Sequence, residues 1–112
     1  ALETPLENRK RWILAGVMNT GRIVVDTGAA HALIRRGRSL LPAGIVAIEG
    51  EFDRGDTVSI VERDGGELAR GIARYPSQDL DKIKGQHSDT IARDLGYTYG
   101  AVAVHRNDLI LL

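Results

Sequence analysis

Three histidines, His31, His87 and His105, are the first side chains to weigh for chemistry, because imidazole binds metals and moves protons near neutral pH. Metal sites arrive as close sets of ligands, typically with cysteine or carboxylate beside the imidazole. Here the histidines lie far apart in sequence and cysteine is absent, so no metal site is assigned. Serine is present, but no Gly-x-Ser-x-Gly elbow frames a nucleophile, and no glycine-rich P-loop precedes a helix to cradle phosphates. The carboxylate pairs Asp53/Asp56 and Asp79/Asp81 are of the kind that any solvated face carries. No residue is therefore assigned a catalytic role.

Two basic groups could do a different job. Arg9, Lys10 and Arg11 are contiguous, and Arg35, Arg36 and Arg38 surround the end of a helical segment. A guanidinium fork matches the oxygens of phosphate or carboxylate. Formal net charge is zero, with 15 basic and 15 acidic residues, so any affinity for nucleic acid would have to come from local clustering. A further stretch, Arg54-Gly55-Asp56, spells a cell-adhesion tripeptide. Its flanks "GEF" and "TVSI" are strand material, and Gly and Asp are turn formers, so the tripeptide is expected to be a corner between strands.

The elements that would position these groups belong to a single domain. A chain of 112 residues with 43% hydrophobic residues has room for one core, and that core must rest on Ile, Leu, Val and Ala because aromatic residues are few. No apolar run approaches the roughly 18 residues of a membrane span, no signal peptide is seen, and the absence of cysteine fits a reducing, cytoplasmic setting. Ala1 in place of an initiator Met, with the polar lead-in that follows, leads us to expect a piece of a longer protein.

Short apolar runs at Trp12–Ala15 and Arg22–Val25 read as strands. "DTGAAHALIRRG" reads as a helix, with Asp26 or Thr27 as its cap, Gly37 as its stop, and Ala30, Leu33, Ile34 and Gly37 on the buried face. His31, Arg35 and Arg38 repeat at i, i+4 and i+7 on the opposite face, with Arg38 lying beyond the stop. A strand follows at Ile45–Glu51. "TVSIVE" alternates, with Val58 and Ile60 inward and Thr57 and Ser59 outward, and "RDGG" closes a hairpin onto "ELARGIARY". Gly71 in that return strand marks a bulge or a close backbone approach. Two short helices capped by Ser77 and Ser88 carry Leu80 and Ile83, then Ile91, Ala92 and Leu95, inward and stop at Gly85 and Gly96. The tail is strand-like around Ala101–His105 and Leu109–Leu112. Six or more strands with three short helices predict a mixed α+β, mainly β domain, largely antiparallel and closed or nearly closed into a barrel.

The stretch "LLPAGIVAIEGEFDRGDTVSIVERDGGELARGIARY" resembles the core of PUA domains, small pseudobarrels of about six short strands with peripheral helices. The recurring features are a Gly-Ile strand, a corner at Phe52, Gly55, Asp56 and Val58, and a return strand with Ala69 and Gly71. "ENRKRWILAG", "SLLPAGI" and "LGYTYGAVAVHRNDLILL" extend the resemblance over nearly the whole chain, to the C-terminal PUA domains of bacterial glutamate 5-kinases.

The resemblance implies residues 1–10 as a linker from a missing amino-acid-kinase domain and residues 11–112 as the PUA domain, with Trp12 an anchor between them. It implies a parent, expected to be a homo-oligomer, that phosphorylates the γ-carboxylate of glutamate with Mg-ATP in the first step of proline biosynthesis under feedback by proline. Neither Mg-ATP nor any other cofactor is expected on this chain alone. Its partner would be the kinase domain of the same protein, which it would tune as an accessory domain. The alternative carried by the family is an RNA-binding module, with Arg35, Arg36, Gly37, Arg38, Ser39 and Leu40 as the matching candidates and Gly37 allowing close approach of a phosphate or sugar.

Overall fold

Alternating apolar residues in Gly21–Val25 make a strand, β1, whose Ile23 and Val25 are fully buried. The computed structural model describes residues 21–87 and 90–112. The expected strand at Trp12–Ala15, the linker, the Arg9–Arg11 group, the Trp12 anchor and the Ser88 cap lie outside the described residues.

Asp26 ends β1 and starts α1 (Thr27–Arg36): its Oδ1 accepts from the Ala29 amide at 2.7 Å, satisfying one orphan donor of the first turn. Gly37 ends the helix in the left-handed region at φ 60°, where a side chain would be strained. Ala30 and Leu33 are buried as expected, whereas Ile34, 45% exposed, and Gly37, also exposed, are not. The buried stripe follows the i, i+3 spacing of Ala30 and Leu33, and Ile34 falls beyond its edge.

A short 3-10 turn at Pro42–Gly44 leads into β2 (Ile45–Gly50). β3 (Thr57–Glu62) and β4 (Glu67–Ile72) form the expected hairpin, closed by Glu62 and Gly66 backbone bonding and by Gly65 at φ 92°. α2 (Ser77–Ile83) and α3 (Ile91–Leu95) follow, then β5 (Leu109–Leu111). Strand order is β2-β1-β3-β4-β5. The architecture is mainly β with three helices, as expected, but it holds five strands among the described residues. Ala101–His105 contributes one isolated bridge, Leu40 to Val104, in place of a strand. The sheet is also mixed: β1 and β3 run parallel at its centre, because α1 and β2 intervene and give the chain length to cross over.

One sheet face, carrying Ile23, Ile60 and Ala69, packs against Leu33 of α1, Leu80 and Ile83 of α2 and Ile91 of α3. Each such aliphatic side chain contributes about 1.5–3 kcal/mol on burial. Ala92, expected inward, is exposed, while its neighbour Ile91 is fully buried. α2 takes Pro76 as its N-cap, not Ser77, and the Ser77 hydroxyl accepts instead from the Phe52 amide at 3.2 Å.

The Arg-Gly-Asp tripeptide is a corner. Gly55 sits at φ 96°, Asp56 Oδ2 accepts from the Asp53 amide at 2.8 Å, and the Gly55 amide donates to Ala73 O at 2.8 Å. The Arg54 guanidinium lies 3.7 Å over the Tyr99 ring, so it is engaged within the domain.

The second sheet face departs from the alternating expectation. Ser59 is only 6% exposed and Val61 only 4%, on the face of β3 expected to point outward at Thr57 and Ser59. Ser59 donates its hydroxyl to Glu67 Oε2, and Arg70 reaches the same carboxylate at 3.3 Å. The Ser59 hydrogen bond, then Arg70, hold the Glu67 carboxyl below the usual carboxylate range, since both favour the charged form. A depressed native pKa adds stability that is complete above the unfolded value and is lost as pH falls through the native one. Glu67→Gln should therefore lower the melting temperature above about pH 5, and the gap between the two proteins should narrow as the pH falls through the depressed pKa of the native carboxyl. Thermal melts at several pH values check this. A gap that does not narrow as the pH is lowered contradicts it.

Candidate functional site

The residues offered by the sequence for ligand contact divide sharply once folded. Arg35 and Arg36 occupy the last turn of α1 and are exposed, as cations at the carbonyl end of a helix dipole are favoured to be. Gly37 caps the helix and Arg38 leaves it, exposed, with its amide directed to Ala32 O at 3.3 Å. Ser39 is partly buried. Leu40 is 1% exposed, with its side chain in the core and its backbone paired to Val104 and Ala103. Leu40 thus positions the segment, and its side chain is out of a ligand's reach.

That pairing creates a groove. Leu40 binds Val104, and Ser39 Oγ accepts from the Arg106 amide at 2.8 Å, which draws the 3-10 turn Arg106–Asp108 beside the end of α1. The resulting concavity, about 290 Å³, has Leu33 and Gly37 on one wall and Leu109, Ile110 and Leu111 on the other. Arg38 and Arg106 both line it. Among the described residues, neither guanidinium makes an ion pair or a hydrogen bond. Sequence reading missed Arg106. It stands far from Arg38 along the chain, and only the Leu40–Val104 bridge brings the two segments together.

The histidines are not gathered. His31 is exposed on α1, and His105 caps the 106–108 turn, its Nδ1 accepting from the Asn107 amide at 3.1 Å. That bond places the neutral ring's proton on Nε2. Among the described residues no group of three or more His, Asp or Glu side chains is placed to hold one metal ion. A wider open depression of about 620 Å³ lies beside the Phe52 corner, rimmed by Asp53, Asp56 and Asp81. Two of these carboxylates already have internal work, Asp56 on the Asp53 amide and Asp81 with Lys84. Among the described residues, no nucleophile, base and orienting acid converge in either concavity.

A family profile described as the PUA domain matches residues 21–95. The whole chain is 55% identical to part of a glutamate 5-kinase from Shewanella woodyi, and 97% of it is 56% identical to part of one from Deinococcus radiodurans. In both cases it spans 30% of the relative's length. Among solved structures, a PUA domain from Aeropyrum pernix, determined as a tartrate complex, is 28% identical with a TM-score of 0.56. That match covers 77% of this chain and 41% of the other.

Proposed function

We propose, from the premise that this chain belongs to the PUA domain family, that it is the accessory domain of a glutamate 5-kinase and acts through the kinase domain of the same protein. The observation that carries this reading is identity of 55% sustained over the chain's full length against one segment of such enzymes. Under it, residues 1–10 are the connection and residues 11–112 the domain. Mg-ATP and glutamate belong to the kinase domain, and this chain supplies stability, assembly or effector response. No described helix is long and apolar enough to cross a membrane.

The experiment is a graft. This chain replaces the matching 30% of the Shewanella woodyi enzyme, and ATP-dependent glutamate phosphorylation is compared with that of the intact enzyme and of one lacking the segment. The graft is expected to behave as the intact enzyme does, in rate and in response to proline. A graft no better than the truncated enzyme overturns the reading, provided both are folded by circular dichroism.

RNA ranks second as a partner. The arginines offered for it are exposed at Arg35, Arg36 and Arg38, but the chain's balanced charge leaves only a short basic surface for a polyanion.

A further inference from the structure

We infer that the groove between the end of α1 and β5 is a binding site for a small aliphatic dicarboxylate, gripped by Arg38 and Arg106. Arg38 and Arg106, from segments remote in sequence, both line one concavity of about 290 Å³, and the other described side chains lining it are aliphatic: Leu33, Leu109, Ile110 and Leu111. Among the described residues no acidic side chain lines it, and Asp108 of the neighbouring turn is not part of its lining. Each guanidinium fork suits one carboxylate through paired charge-assisted hydrogen bonds. The aliphatic wall suits a short methylene chain between the two carboxylates, which would cover it from water. A single compact anion such as phosphate satisfies the arginines but leaves that wall wet. A nucleic acid needs a longer run of cations than two arginines in a groove of this size provide.

The site is also held in shape before any ligand arrives. Ser39 Oγ fixes the Arg106 amide, Leu40 and Val104 are paired, and Leu33 and Leu109 are rooted in the core. The carbonyl end of α1 lies close by and by itself repels anions, but the amides of Gly37 and Arg38 are both directed at Ala32 O and offset part of that negative end. A prepared groove loses less conformational freedom on binding than one assembled by its ligand.

The test is a titration of the ¹⁵N-labelled chain with sodium glutarate at constant ionic strength, followed by amide shifts. Saturable shifts are expected at Gly37, Arg38, Arg106 and Leu109–Leu111. Butanoate, with one carboxylate, should bind about tenfold more weakly, and so should inorganic phosphate, each lacking one charge-assisted contact or the aliphatic contact. Arg38→Ala and Arg106→Ala should each weaken glutarate by about tenfold. Both side chains are exposed, so the amide spectra should otherwise stay native and exclude misfolding. The inference is overturned if glutarate shifts nothing in the groove, or if its effect survives both substitutions. It is equally overturned if phosphate matches glutarate, or if poly-uridine RNA binds the same amides more tightly. None of these results bears on the graft experiment, because the inference concerns the domain's own groove and not its parent.

Discussion

Tyr75→Ala is expected to destabilise the chain by about 3–5 kcal/mol, the range for deleting a buried aromatic side chain. Small domains rest on about 5–15 kcal/mol in all, so the variant should melt far below the parent or fail to fold at 37 °C. Tyr75 is fully buried, and its ring lies 5.5 Å from that of Tyr99 and 6.2 Å from that of Tyr97. Its hydroxyl donates to Gly100 O at 2.6 Å and accepts from the Tyr99 amide at 2.8 Å. One side chain therefore anchors the 97–100 turn, and through Arg54 on Tyr99 that turn contacts the Arg-Gly-Asp corner. Tyr75→Phe separates packing from hydrogen bonding. It keeps the ring but removes the hydroxyl's bonds to Gly100 O and the Tyr99 amide, at a cost of about 0.5–1.5 kcal/mol for each. Thermal unfolding followed by circular dichroism reads both. A Tyr75→Ala melting point within a few degrees of the parent's would contradict the role given to this residue.

Gly71→Ala should cost about 1–3 kcal/mol, the usual range for overpacking a core. A Cβ there would sit 2.5 Å from Val104 Cγ1 and 3.1 Å from the backbone oxygen of Asp108. Val104 is fully buried and cannot swing aside, and the Asp108 carbonyl is fixed in the turn before β5. Gly71 is not among the glycines with positive φ, so the penalty is steric and not conformational. That distinction is testable. Pairing Gly71→Ala with Val104→Ala should recover part of the loss, so the double variant is more stable than the sum of the single effects predicts. Strict additivity would show that the two atoms do not compete for the same space.

What the sequence made legible was local. Asp26 and Gly37 bracket α1 because a carboxylate cap and a left-handed glycine are chemical requirements of helix ends, readable one residue at a time. The same holds for Asp64-Gly65-Gly66 between β3 and β4 and for Gly55 at the corner. Gly71 was legible as a close approach, although the register shift in β4 falls opposite Ile60/Val61 and not at Gly71. Pairings made across the fold were not legible. The parallel β1–β3 ladder depends on how α1 and β2 fold back, and the burial of Ser59 departs from the in–out alternation its own strand suggests. Ser77 looked like a helix cap because its own neighbourhood gave no sign that Phe52, far upstream in the chain, would claim its hydroxyl. Half of the candidate site shares this blindness. Arg38 was visible beside a helix stop, whereas Arg106 joins it only through the Leu40–Val104 bridge. The family resemblance supplied the fold that these local signals could not assemble.

The most direct test of the central claim, that this domain serves a kinase without containing one, is a hydroxylamine-trapping assay on the purified 112-residue chain with glutamate and Mg-ATP. No ATP-dependent γ-glutamyl hydroxamate is expected at concentrations where the Shewanella woodyi enzyme gives a clear signal. Hydroxamate formation that depends on ATP and scales with the amount of this chain would contradict it.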